Sequence, residues 1–255
     1  MNKILEVKDL CKTYIINQRQ NNVLRNVNFG VEKGEMVAVM GPSGSGKSTL
    51  LYTVSGMDKM TAGEVRFCGK NMSSLNENQL AEMRLCDMGF IFQQMYMMKN
   101  LSVLDNILFP AVQAAKYKRE KENRKEILER GRELMRKLGI IDIAENDINE
   151  VSGGQLQRAC ICRSMMNSPQ MIFADEPTGA LNRSSSEEVM EELTRLNEDG
   201  TTIMLVTHDA KVAAKCSRVL FIVDGNIKGE YSIDRKHIMR ERERELNNWL
   251  IEMGW

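Results

Sequence analysis

The nine residues Gly41-Pro42-Ser43-Gly44-Ser45-Gly46-Lys47-Ser48-Thr49 fit the phosphate-loop pattern G-x-x-x-x-G-K-[ST]. Glycines in such a loop let successive backbone N–H groups turn toward phosphate oxygens, and the helix start behind it adds favourable partial charge. Gly41, Ser43, Gly44, Ser45, Gly46 and Thr49 would build the cradle. Lys47 would reach the β- and γ-phosphates, and Ser48 would ligate Mg²⁺. A second reactive feature is the adjacent pair Asp175-Glu176, which ends an apolar run. A buried strand ending in Asp suits a Mg²⁺ ligand acting through water, and Glu176 could polarise an attacking water. A third is Ser152-Gly153-Gly154-Gln155, two glycines and a hydroxyl at a helix start, which make another anion-binding nest. One active site uses one γ-phosphate cradle, so the second nest is expected to serve nucleotide held by a different copy of the chain.

These groups need elements to hold them. Apolar runs rich in β-branched residues occur at 24–29, 36–40, 65–68, 90–92, 171–174, 202–206 and 219–223. Several are continuous, as strands covered on both faces by helices tend to be. Helical spacing lies between them, notably at 48–55, 155–167 and 185–196, which predicts an α/β fold with a mainly parallel sheet. Residues 100–139 read as a helical insert, with Ile127, Gly131, Leu134 and Leu138 on one face. Ser102 with Asp105 offers its first helix a cap, and Gly139 stops its last. The charged run at 116–130 reads as a solvated helical face. In the tail, Leu246, Trp249, Leu250 and Met253 fall on one side of a short amphipathic helix expected to pack on its own domain, and His237 is taken as solvated.

Composition excludes other classes. The 35 Lys and Arg balance 35 Asp and Glu, so no global basic field exists for nucleic-acid binding. The longest unbroken apolar runs, at 36–40 and 219–223, are far short of the ~20 residues of a spanning helix. The start, Met1-Asn2-Lys3-Ile4-Leu5-Glu6, has no apolar leader segment, which points to the cytoplasm. The cysteines form no C-x-x-C pair, so they read as reduced thiols, most of them small core residues.

Taken in order, the motifs resemble those of the ATPase subunits of ATP-binding cassette (ABC) transporters, over roughly residues 4–231. Residues 41–49 resemble the family's Walker A, Val151-Ser152-Gly153-Gly154-Gln155 its signature, and residues 171–176 its Walker B with the catalytic glutamate, Glu176. The resemblance further implies that Gln93 is the Q-loop glutamine, a Mg²⁺ ligand close to the chemistry. It makes His208 the switch histidine and Tyr14, in Lys12-Thr13-Tyr14, the aromatic that stacks on adenine.

The implied fold is a P-loop NTPase of RecA-like type, with a mainly parallel sheet core, an antiparallel β subdomain and an inserted α-helical subdomain. The ATPase domain would span 1–233, with its nucleotide-binding core at about 1–95 and 160–233 and its helical subdomain at about 96–159. A charged amphipathic helix would follow at 234–255. The implied cofactors are ATP and Mg²⁺, and the implied partners a second ATPase copy, as a homodimer, and a separate transmembrane permease that would hold the chain at the inner face of the cell membrane. Met95, Met97 and Met98 lie where the family docks that permease.

Ala174 to Asn182 and Ser55-Gly56-Met57-Asp58 resemble the subgroup of lipoprotein release, macrolide efflux and antimicrobial-peptide resistance, and the tail resembles the peptide-resistance branch. The subgroup also holds a cell-division member, so a non-transporting clamp that signals through a membrane partner is the alternative. Two departures stand out: Asn182 replaces the D-loop aspartate, and Val151 the signature's leucine.

Overall fold

The computed structural model describes residues 3–118 and 123–255. Residues 119–122, the middle of the charged run, and the first two residues of the chain lie outside the described ones. The elements are β1 (Lys3–Ile16), β2 (Arg19–Glu32), β3 (Met36–Met40), α1 (Lys47–Val54), β4 (Ala62–Phe67), β5 (Lys70–Asn71), α2 (Glu77–Asp87) and β6 (Met88–Phe92). They continue as α3 (Val103–Lys118), α4 (Arg124–Lys137), α5 (Gly153–Met165), β7 (Met171–Asp175), α6 (Arg183–Glu198), β8 (Thr202–Val206), α7 (Ala210–Ala213), β9 (Arg218–Val223), β10 (Asn226–Ser232) and α8 (Met239–Glu252). Among the described residues no helix is long and apolar enough to cross a membrane. Two compact units form, one from Met1–Leu80 with Asn197–Trp255, the other from Ala81–Leu196.

In the first unit β3 lies between two parallel neighbours, with Ala38 beside Leu205 of β8 and Val219 of β9, and β10 joins β9 antiparallel. Every residue of β3 and β8 is buried, which is why both read as unbroken apolar runs. A separate antiparallel sheet runs β2-β1-β4-β5. Its strand β1 escaped the apolar-run pattern because a bulge, with Asp9 at φ 47°, slips the register between Val7 and Leu10 and breaks the alternation. Strand β10 escaped as an edge strand whose Lys228 and Glu230 face solvent. The polar start of β2 pairs with β1 around the turn at Asn17-Gln18, so this hairpin extends well beyond its apolar part.

Helix α8 packs on this unit, as its apolar spacing requires. Leu246 and Leu250 are fully buried, and Trp249 stacks near Tyr231 (centroids 5.3 Å) and edge-on to Phe221 (6.0 Å). Gly229 leaves room for it, since a Cβ there would lie 2.8 Å from Met253 Cε. His237 is more than solvated: its Nδ1 lies 3.1 Å from Glu245 Oε2 and its carbonyl accepts from Arg242 Nε at 2.7 Å, because the chain turns back over the start of α8.

In the second unit β6 and β7 run parallel, Phe92 beside Asp175. The insert is helical as expected. Asp105 N–H donates to Ser102 Oγ at 3.1 Å, and Gly139, at φ 64°, ends α4 with its amide on the Arg136 carbonyl. Helix α4 buries Ile127, Gly131, Met135 and Leu138; the expected Leu134 is only half-buried, Met135 having taken the inward place on the 3.6-residue turn. Gly131 lets α3 and α4 come close, since a Cβ there would lie 2.4 Å from Leu108 Cδ2.

The cysteine expectation needs correcting. Cys160, Cys162 and Cys216 are buried, but Cys11 and Cys86 are half-buried and Cys68, in the β4–β5 turn, is exposed. Burial pushes the thiol of Cys160 up to about 11 and that of Cys216 up to about 12, and raises Cys162 as well. Unfolded thiols titrate near 8.5, so the native state keeps protons that the unfolded state loses, and the contribution of these thiols to stability falls as pH rises above that value. At pH 8 an aromatic disulfide reagent is expected to consume Cys68 fastest and Cys11 and Cys86 more slowly, with the three buried thiols reacting only in denaturant. Mass spectrometry of the labelled peptides checks the order.

Candidate functional site

In the phosphate loop, β3 leads in and α1 leads out. Gly41 presses on the β9 backbone so closely that a Cβ would stand 2.0 Å from the Ile222 carbonyl oxygen. Gly46, at φ 102°, precedes α1, and a Cβ there would lie 3.1 Å from the Val23 carbonyl oxygen, whereas one at Gly44, at φ 80°, would face open space. The first two therefore admit packing, and the third only a left-handed turn. Lys47 Nζ donates to the Gly41 and Pro42 carbonyls at 2.8 and 2.9 Å, which folds the ammonium across the loop. The first hydrogen bond of α1 runs from Leu50 N–H to the Gly46 carbonyl (2.7 Å), so the amides of Lys47, Ser48 and Thr49 belong to the turn that opens on the loop. Ser43 is exposed and Ser45 buried, and the Ser45 carbonyl accepts from Gly225 N–H at 3.0 Å.

Tyr14 and His208 belong to the same unit. The Tyr14 hydroxyl donates to Asp58 Oδ2 (2.5 Å), while Lys12 Nζ lies 2.6 Å from Asp58 Oδ1 and 4.5 Å from the Tyr14 ring centroid. Burial alone would raise the Asp58 carboxyl, but the hydrogen bonds from Lys12 and Tyr14 reverse this and hold it below the usual carboxylate range. Its stabilising effect is present above the ordinary carboxylate pKa and is lost as pH falls through the lowered value. Burial and the bond to Asp58 raise the phenol, which stays neutral. His208 is exposed just beyond β8, after buried Thr207, whose N–H donates to the Val39 carbonyl at 3.2 Å. Since Val39 and Val206 are in register, Gly41 and His208 leave neighbouring strands at the same sheet edge.

The second unit gathers Gln93, Asp175, Glu176 and the signature residues. Asp175 is buried at the end of β7, and Glu176 departs from strand geometry at φ 48°. Gln93 follows β6 beside them, with its amide against Gly179, where a Cβ would meet Gln93 Nε2 at 2.8 Å. Ser152 caps α5: its Oγ accepts from Gln155 N–H at 3.3 Å, and the Gln155 side chain accepts from Ser152 N–H at 2.9 Å, a capping box that employs Gln155 inside the chain. Gly153 is exposed, whereas Gly154 is buried against Ser185, with Oγ 2.7 Å from its Cβ position. Asn182 Oδ1 accepts from Ser185 N–H at 3.0 Å, as a cap at the start of α6.

Met95, Met97 and Met98 are half-buried, and the chain there is pinned by α5. Arg163 donates to the Met95 and Tyr96 carbonyls at 2.6 and 2.9 Å, and Met95 and Tyr96 both take positive φ. Fully buried Asn106 secures the turn into α3, accepting from Met98 N–H (2.7 Å) and donating to the Met98, Leu101 and Ser102 carbonyls.

The ABC transporter family profile matches residues 24–179, more than half of the chain. The chain belongs to this family. Among curated relatives, the macrolide export ATP-binding/permease protein MacB of Shigella flexneri is 43% identical over 227 residues, 89% of this chain and 34% of its own. MacB of Aggregatibacter actinomycetemcomitans is 40% identical over 224 residues, 88% of this chain and 34% of its own. The chain thus spans about a third of the length of these relatives. Among solved structures, the dimeric bacterial ABC transporter cassette MJ0796 matches with a TM-score of 0.82 and 36% identity over 89% of this chain and 98% of that one, and so does its post-hydrolysis state bound to ADP and Pi. CbiO1 of Clostridium perfringens, part of the CbiONQ complex, matches with a TM-score of 0.81 at 25% identity, covering 100% of this chain and 98% of its own. The fold is accordingly that of an ABC ATPase cassette, a P-loop NTPase of the α/β class.

Each unit carries groups of the kind the family's ligands require: Ser48 in the first and Asp175 and Gln93 in the second have hard oxygens of the type Mg²⁺ prefers, and the glycine loop of the first leaves backbone amides unshielded by side chains. Lys12, Asp58, Arg163 and Gly225 were given no role by the sequence, because each acts on a partner far along the chain, and Asn106, whose partners lie four to eight residues away, reads as an ordinary polar helix residue; Gly225 alone carried a signal, as Asp224-Gly225 directly after the apolar run at 219–223 spells a hairpin turn. The two kinds of loop glycine should separate in stability. Gly41→Ala is expected to cost about 2–3 kcal/mol through its clash, and Gly44→Ala about 1 kcal/mol through its φ alone. Urea unfolding midpoints of the two variants measure the difference.

Proposed function

We propose that the chain binds and hydrolyses ATP as the motor of an exporter, pairing with a second copy around two nucleotides and driving a separate transmembrane permease at the inner face of the membrane. Lys47 and the loop amides from Ser43 to Thr49 hold the β- and γ-phosphates, and Tyr14 stacks on the base. Ser48, Asp175 and Gln93 hold Mg²⁺, which when bound neutralises charge on the phosphate oxygens. Glu176 orients the attacking water and takes its proton, and His208 steadies the γ-phosphate. Ser152, Gly153 and Gly154 of the second copy complete the shell, with Gln155 acting through Ser152. Charge-assisted hydrogen bonds to phosphate supply the affinity difference that closes the pair, and loss of phosphate opens it. Met95, Met97 and Met98 form the adaptable surface on which the permease docks.

The observation that carries this reading is the exposed, capped helix start at Ser152 in a chain that already holds a phosphate loop. The dimeric form named for MJ0796 and the export function named for the MacB relatives support it.

Glu176→Gln should lower phosphate release about 100-fold or more while still binding ATP, and should run as a dimer in light scattering with saturating MgATP. Lys47→Ala should bind ATP at least about tenfold more weakly. Wild-type hydrolysis by the glutamine variant, or single subunits only at saturating MgATP both alone and with the permease, overturns the proposal.

A further inference from the structure

A carboxylate between a lysine and a tyrosine is an arrangement that the phosphate chemistry does not use. Lys12 is almost wholly buried, and its ammonium donates to Asp58 Oδ1 and to the Lys59 carbonyl, both at 2.6 Å. The other oxygen of Asp58 accepts the Tyr14 hydroxyl at 2.5 Å, and the same ammonium stands 4.5 Å from the Tyr14 ring centroid. Asp58 is itself fixed to the far end of α1, its N–H and that of Met57 both donating to the Tyr52 carbonyl at 3.0 and 2.9 Å. The ring's hydroxyl is thus tied, through Asp58, to the end of the helix that opens on the phosphate loop. With a cation against one face, only the opposite face is left for a flat ligand.

We propose that Asp58, bridging Lys12 and the Tyr14 hydroxyl, is a positioning residue that presets the Tyr14 ring for stacking on the nucleotide's base. The inference rests on the reading of Tyr14 as the base-stacking aromatic. Its physical content is pre-organisation: a ring already held at one angle by a hydrogen bond and a cation loses little freedom when a base arrives, so more of the stacking energy appears as affinity. The bridge needs an ionised carboxylate. An amide would keep one neutral acceptor for the ammonium and turn its NH₂ toward the hydroxyl, reversing that bond and removing the charge from both.

The test compares MgATP with magnesium tripolyphosphate, which carries the phosphates and no base, by calorimetry on the full chain. Asp58→Asn is expected to weaken MgATP about tenfold and leave tripolyphosphate unchanged. Tyr14→Ala should do the same, and the double variant should be no weaker than Tyr14→Ala alone. Tyr14→Phe keeps the ring and removes only its anchor, so it should show part of the loss even where Asp58→Asn does not fold. If Tyr14→Ala spares MgATP, the stacking reading itself is wrong and the inference falls with it. If Tyr14→Ala weakens MgATP but Asp58→Asn and Tyr14→Phe do not, stacking stands and the positioning role is overturned. Equal weakening of both ligands by Asp58→Asn would mean a general disturbance of α1, which also overturns it.

Discussion

No side chain can stand between Gly41 and the carbonyl of Ile222. That one close approach dictates the path of the phosphate loop, because it sets the end of β3 directly on the backbone of β9, its parallel neighbour. The same strand then turns at Asp224-Gly225, and that turn reaches back to the loop through Gly225 N–H and the Ser45 carbonyl, 3.0 Å apart. Gly225 is equally constrained, since a Cβ would fall 2.0 Å from the Val23 carbonyl. A loop of small residues, which in isolation would be among the most mobile parts of a chain, is thereby held by backbone on two sides. Its amides keep their directions before any ligand is present.

The legibility of each residue depended on where its partners lie. The phosphate loop, the Asp175-Glu176 pair and the Ser152 nest were readable because each is a contiguous pattern whose chemistry is local. The buried parallel strands were readable because burial on both faces leaves their middles apolar, with polar residues such as Thr202 and Asp175 only at the ends. Strand β1 was not, since its bulge at Asp9 destroys the alternation that a half-buried strand should show. Lys12 finds Asp58 at a separation of 46 residues, and Arg163 finds the Met95 carbonyl at 68. Single charged residues of this kind look like ordinary surface until the fold supplies their partners. Gln155 shows a further limit: the motif placed it beside nucleotide, and the structure spends its side chain on the helix cap.

Helix caps recur at the places where the chemistry is expected. Ser152 caps α5, Asn182 caps α6 and Asp209, next to His208, caps α7 through Lys211 N–H at 2.8 Å. A side chain that accepts a backbone amide fixes the direction in which the chain leaves a strand or loop, and so aims the neighbouring functional residue. Asparagine and aspartate are about equally good in this role, so the unusual Asn182 preserves the start of α6 while removing a charge.

The chain has only two tryptophans, and both rings lie 6.0 Å from Phe221, Trp249 in α8 and Trp255 just beyond it. Phe221 immediately precedes Ile222, whose carbonyl abuts Gly41. All indole emission therefore originates in one corner of the molecule, a short step along β9 from the phosphate cradle. The protein carries a built-in optical reporter whose wavelength and yield register disturbance of that strand without a dye.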